Sequence, residues 1–256
     1  MKAATFEPYD ASDLRTWSIV SASFLGFQLL YQLLRKSQGA FPFSPPLRLS
    51  HRDKVDWTGR VVSTINAVGQ VVGALFAMQE SRAYSDEDCV FGYGFYPATF
   101  ASVFMGYLIY DTTFCLYYYK LLKDWPSLVH HAIYLVVSGY VLYHAFFKFA
   151  FVWLMMGEMS TPCVNLRWFL AVLDMKSTQL YAWNGNLMAV LFFVFRVVVF
   201  GVGLVHLFGL RELWMAEDVP YGLRVVFGLL VGAYGLNLYW FNLVLKGVLK
   251  LRGKKQ

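Results

Sequence analysis

Charge is scarce in this sequence: Asp, Glu, Lys and Arg together make up 15% of its 256 residues, against about 25% in ordinary soluble domains. Apolar residues make up 58%, so a water-solvated globule is excluded and most of the chain must face hydrocarbon or other helices. Cysteine is scarce too. The three present, Cys89, Cys115 and Cys163, support no disulfide framework, since two of them fall inside apolar blocks, and they say nothing about redox compartment. No cleavable leader is expected either: Glu7, Asp10 and Asp13 precede the first apolar block, without the basic start and small-residue cleavage site of a signal peptide, so that block is expected to be retained as a helix. The net charge of +6 invites a nucleic-acid reading. Its basic residues stand beside helix ends instead of forming a face interleaved with exposed aromatics, so no nucleic-acid partner is expected.

What the sequence has in quantity is apolar blocks of about 17 to 25 residues, the length that crosses about 30 Å of hydrocarbon. We place helices at Trp17 to Leu34, Val61 to Ala77, Ala98 to Tyr119, Ser127 to Phe147, Phe149 to Leu173, Leu187 to Phe208 and Tyr221 to Gly247. The fold class is therefore all-α, a polytopic membrane bundle of about seven spans. The second block is diluted by Ser63, Thr64, Asn66 and Gln70, which must face protein, and Gly69 and Gly73 are expected to allow that packing. Pro42, Pro45 and Pro46 mark an extended connector over Phe41 to Leu47. The chain then divides into residues 1–54, holding the first span and connector, a six-helix core at 55–250, and a basic tail at 251–256.

Lys and Arg residues set the orientation. One side carries Arg35, Lys36, Arg48, Arg52, Lys54, Arg60, Lys120, Lys123, Arg167, Lys176, Lys246, Lys250, Arg252, Lys254 and Lys255; the other carries Lys2, Arg15, Arg82, Lys148, Arg211 and Arg224. Fifteen against six puts the carboxyl terminus in the cytosol and the amino terminus outside or in a lumen.

Ionisable groups at membrane depth cost several kcal/mol unless paired or solvated in a cavity. Asp111 stands nine residues before Lys120, about 13 Å from the cytosolic end; it either pairs with a cation on a neighbouring helix or lines a polar cavity. His130 and His131 open the fourth helix behind Pro126. Adjacent residues point about 100° apart on a helix, so the two rings cannot share one metal, and no metal site is expected. One ring can face the interior as base or nucleophile, or both can be hydrogen-bonding residues of the interface. Pro162 cannot donate to the carbonyl of Glu158, which predicts a kink beside that carboxylate, with Ser160, Thr161 and Asn165 able to satisfy the opened backbone. Arg196 lies near mid-membrane and needs an anion, either Glu158 or Asp111 or a lipid phosphate or carboxylate. Asn184, Gly185 and Asn186 read as a turn and cap before the sixth helix, and His144 and His206 as interfacial.

Five strings in this order, RVVSTINA from Arg60, GYLIYD from Gly106, the pair His130 and His131, EMSTPCVNLRW from Glu158 and NGNLMAVLFFVFR from Asn184, resemble the TLC domain family. They are most like its branch with the STPxVNxRW pattern, and the likeness runs from about Val55 to Lys250. The resemblance implies an integral membrane protein of lipid homeostasis, most often in the endoplasmic reticulum, with membrane lipids as partners and no cofactor. The tail Arg252 to Gln256 is weakly similar to a basic retrieval signal. The family includes ceramide synthases, which join an acyl group from coenzyme A to a sphingoid amine, so the alternative is an acyl-CoA-dependent lipid acyltransferase. In that case His130, His131 and Asp111 would be catalytic. On either reading, Glu158, Asn165, Arg167 and Arg196 are expected to bind lipid or line a cavity. Two departures stand against catalysis: the later histidines precede Ala145 and Leu207 instead of an aspartate, and Asn66 stands where this branch has a histidine. A transporter is disfavoured by the lack of an inverted repeat, and a retinal-type receptor by the lack of a mid-membrane lysine in the last helix.

Overall fold

In the computed structural model, which describes residues 14–37, 43–92 and 94–253, seven long helical rods form a single bundle. Helix α1 covers Leu14–Lys36, α2 His51–Ser81, α3 Asp86–Val90, α4 Phe95–Tyr117, α5 Tyr119–Leu122 and α6 Trp125–His144. Next come α7 (Lys148–Met156), a 3-10 turn at Gly157–Ser160, and α8 (Thr161–Val172), which together make one interrupted rod. Helix α9 (Gln179–Leu191), a π-helical stretch at Phe192–Val199 and α10 (Phe200–Gly209) make another; short α11 (Arg211–Trp214) leads to α12 (Gly222–Gly253). Among the described residues there is no strand beyond one bridge pairing Phe91 with Phe146.

Four rods, α1, α2, the α9–α10 rod and α12, are long and apolar enough by length and composition alone to cross a membrane. The other three are central and carry the polar groups described below, which lowers their hydropathy without shortening them: α6, the shortest continuous one, has 20 residues, about 30 Å at 1.5 Å each. Outward faces are apolar. Leu25, Leu29 and Leu33 on α1 and Val198, Val202 and Val205 on the sixth rod are all exposed, as hydrocarbon contact requires.

Local chemistry sets the boundaries. Ser50 caps α2 by accepting from the Asp53 amide, and Asp124 caps α6 with Pro126 in its first turn. In the loop helix α3, Ser85 and Asp88 form a reciprocal capping box; the amide and hydroxyl of Ser85 hold the Asp88 carboxyl below the usual carboxylate range. Two expected helix boundaries fail here. The second rod begins at His51, ten residues before Val61, because a helix needs only a cap and no break, whatever its polarity. Asn184, Gly185 and Asn186 are no turn: Thr178 caps α9 by accepting from the Tyr181 amide, and Asn184 and Gly185 are buried within that helix. Gly73 does pack inward against the Phe100 ring, but Gly69 has nothing near it and faces outward.

The two ends of the bundle differ. At the end holding the α6–α7 and α10–α12 connections, Val137, Val141, Phe147, Phe151, Leu207, Leu223 and Leu230 make a dry core. Helix α1 lies along α4, with Tyr31, Val62, Tyr107 and Tyr110 buried in the seam. Polar side chains gather toward the opposite end, the one rich in Lys and Arg.

Candidate functional site

Between α2, α4, α6 and the interrupted rod lies a cavity of about 240 Å3 lined by, among others, Asp56, Arg60, Ser63, Tyr107, Asp111, Asp124, His130, His131, Glu158, Thr161, Asn165 and Arg196. Leu122 at the end of α5 and Asp124 at the start of α6 place its mouth at the basic end of the bundle. The structure thus brings together Asp111, His130, His131, Glu158, Asn165 and Arg196 of the site residues expected from sequence, and leaves Arg167 apart.

Asp111, deep on α4, faces α6. Its Oδ2 lies 3.2 Å from His131 Nε2 and accepts from the Tyr107 hydroxyl, one turn back on the same helix, at 3.0 Å. With Nε2 donating to the carboxylate, the other ring nitrogen, Nδ1, is an enclosed atom with no hydrogen-bond partner among the described residues. His130 turns to a different neighbourhood, against the rings of Tyr134 and Trp240 at 4.6 and 5.3 Å between centroids. The 100° offset between adjacent helical residues produces this division: one ring is held by a carboxylate, the other by aromatics.

Across the cavity, Arg196 reaches out of the π-helical stretch to the 3-10 turn. It donates from Nε to Ser160 Oγ and from Nη2 to Thr161 Oγ1, both at 3.0 Å, and its Nη2 stands 3.6 Å from Glu158 Oε1. Thr161 in turn donates to Glu158 Oε2 at 2.7 Å. The kink expected at Pro162 is a tightened turn: the Glu158 carbonyl that proline leaves free is taken by the Thr161 amide, one residue closer. Two irregular backbone stretches therefore meet at one ion pair, each satisfied internally, as membrane depth demands.

Asn165 does not repair its own helix. It crosses to α2, donating to the Arg60 carbonyl and to Thr64 Oγ1 at 3.2 and 2.9 Å and accepting from Arg60 Nη1 at 3.3 Å. Arg60 is also paired with Asp56 at 2.8 Å and lies over the Trp168 ring. Arg167 lies outside the cavity. It points to α9, over the Tyr181 ring at 4.1 Å, into space that exists because Gly185 has no side chain. Asn66 is buried elsewhere on α2, accepting from Gln70. Sequence reasoning missed Asp56, Arg60, Ser63 and Asp124 as cavity residues; the i,i+4 spacing of Asp56 and Arg60 was the available signal. With neutral histidines, four carboxylates face two guanidiniums in this lining.

A second, apolar pocket of about 30 Å3 continues inward, lined by Phe151, Trp153, Leu154, Met155, Phe195 and Phe200. Its wall toward the polar cavity is shared: Phe104, His130, Glu158 and Arg196 line both. Among the described residues no cluster of His, Cys, Asp or Glu has metal-holding geometry.

Fold and site together define a polytopic helical membrane protein with an ionisable chamber opening at one end of its bundle and an apolar recess behind it. The TLC domain model matches residues 56–246, and the chain belongs to that family. It is similar to TLC domain-containing protein 4 of Xenopus tropicalis, 30% identical over 74% of this chain and 73% of the relative. It is likewise similar to TLC domain-containing protein 4-B of Danio rerio, 29% identical over 95% and 94%. Topoisomerase I damage affected protein 4 of Saccharomyces cerevisiae is 29% identical over 77% of this chain and 71% of its own length.

Proposed function

We propose that the chain binds an acyl lipid inside the bundle and acts in membrane lipid homeostasis, in the endoplasmic reticulum membrane. The observation that carries this is the shared wall: a polar chamber that suits a headgroup joins an apolar recess that suits the start of a chain, with Arg196 and His130 at the junction. Family membership and the basic tail at 251–256 support the compartment. Native mass spectrometry of the purified protein is expected to show one lipid retained per chain. Leu154→Trp, which fills the recess, is expected to cut occupancy severalfold; no retained lipid in the parent, or unchanged occupancy in the variant, would defeat this reading.

The Asp111–His131 pair favours a second reading, acyl transfer from acyl-coenzyme A. The neutral imidazole would take the proton of an attacking amine or hydroxyl as the new acyl bond forms and the carbon–sulfur bond breaks; the proton would leave with the thiolate, and Asp111 would steady the charged ring. Under this reading the purified parent turns over acyl-coenzyme A with an amine or alcohol lipid, and His131→Ala loses about 100-fold or more. Turnover that survives both His130→Ala and His131→Ala would remove the histidine mechanism.

A further inference from the structure

At the basic end of the bundle, where α1 stops and α2 starts, Arg35, Lys36, Pro45, Leu47, His51 and Lys54 line a cavity of about 390 Å3. Among the described residues it shares none with the chamber described above. Its ionisable lining is all of one sign. None of these four groups pairs with a carboxylate among the described residues, and the nearby acid, Asp53, accepts from the Ser50 hydroxyl at 2.6 Å. Arg35 spends one nitrogen on the Tyr31 hydroxyl.

The first turn of α2 makes the arrangement odd. It carries His51, Arg52 and Lys54 against the single acid Asp53, although the positive end of a helix dipole disfavours cations there. The last turn of α1 adds Arg35 and Lys36. Cations from two helix ends converge on a concavity at whose edge the α2 dipole also attracts negative charge, which is the electrostatics of an anion site. Local preference and sequence disagree here, and a bound anion resolves the disagreement.

We propose that this cavity binds the phosphomonoester headgroup of an anionic phospholipid. A phosphomonoester brings close to two charges and three acceptor oxygens, matching several converging cations better than the single charge of a phosphodiester. Soluble phosphates such as coenzyme A carry the same group, but the surroundings favour a lipid. The cavity lies at the ends of two spanning rods, the level of the membrane surface, and Phe43 and Leu47 on the same connector are 75% and 68% exposed, placed to enter the acyl boundary beside the headgroup.

The test titrates the full chain in detergent with dioctanoyl phosphatidic acid, dioctanoyl phosphatidylserine and coenzyme A, reading binding by native mass spectrometry at two salt concentrations. Phosphatidic acid is expected to bind saturably, about tenfold more tightly than phosphatidylserine, and less tightly at high salt. Lys36→Gln with Lys54→Gln is expected to weaken it about tenfold or more, whereas Lys36→Arg with Lys54→Arg retains it. Phe43→Ser with Leu47→Ser, which keeps every cation, should also weaken it, so the proposal stays testable if the glutamine pair folds poorly. Equal binding of phosphatidylserine, an unchanged glutamine pair, or coenzyme A binding as tightly as phosphatidic acid would each overturn it.

Discussion

Glu158→Ala is expected to lower the stability of the purified protein by about 3 kcal/mol or more, and the double variant Glu158→Ala with Arg196→Met to recover a large part of that loss. The asymmetry follows from where the pair sits. The side chains of Glu158 and Arg196 are 18% and 15% exposed, and Ser160 and Thr161 hold two guanidinium nitrogens in place. Removing the carboxylate alone leaves the guanidinium without its ion-pair partner at membrane depth, at a cost of about 3–5 kcal/mol. Taking the cation away as well removes the unpaired charge, and apolar side chains in place of both members of a buried pair cost little. Thermal unfolding of the parent, Glu158→Ala, Arg196→Met and the double variant in one detergent closes the cycle. A single variant as stable as the parent would mean that water or lipid already screens the pair; a double variant less stable than Glu158→Ala would mean that Arg196 is held mainly by the two hydroxyls.

The rods were legible in the sequence because a membrane span must be long and apolar. Asp111, Glu158 and Arg196 stood out for the complementary reason: an ionisable group in such a rod is costly, so each marks a polar interior. The residues that escaped obey weaker rules. Asn184-Gly185 carries turn residues, yet Thr178 supplies the cap and Gly185 serves packing, making room for Arg167; propensity is overruled by tertiary contact. Asp56 and Arg60 lie in the first turns of α2, ahead of the apolar block that begins at Val61, and only the fold brings Arg60 against Asn165, 105 positions later. The shared wall at His130 likewise depends on how α6 is rotated against α12, which no local pattern encodes.

Glycine shows the same limit in a form with opposite signs. Gly106→Ala is expected to destabilise the protein by about 2–3 kcal/mol, whereas Gly69→Ala should be neutral or stabilise it by up to about 1 kcal/mol. Both are mid-helix glycines, and no local pattern tells them apart. A Cβ on Gly106 would stand 2.4 Å from the Val20 carbonyl oxygen and 2.9 Å from the Phe24 amide nitrogen. Those are backbone atoms of α1, which cannot turn aside as a side chain can, so the methyl must push α1 off α4 and open the aromatic seam of Phe27, Tyr31, Tyr107 and Tyr110. A Cβ on Gly69 meets nothing within 4 Å, so alanine there keeps every contact and relieves the backbone entropy that glycine costs a helix. Unfolding midpoints of the two variants should fall on opposite sides of the parent or, for Gly69→Ala, on it. A Gly106→Ala protein as stable as the parent would show that α1 is not held against α4 at this crossing, and the first rod would then be only loosely attached to the bundle.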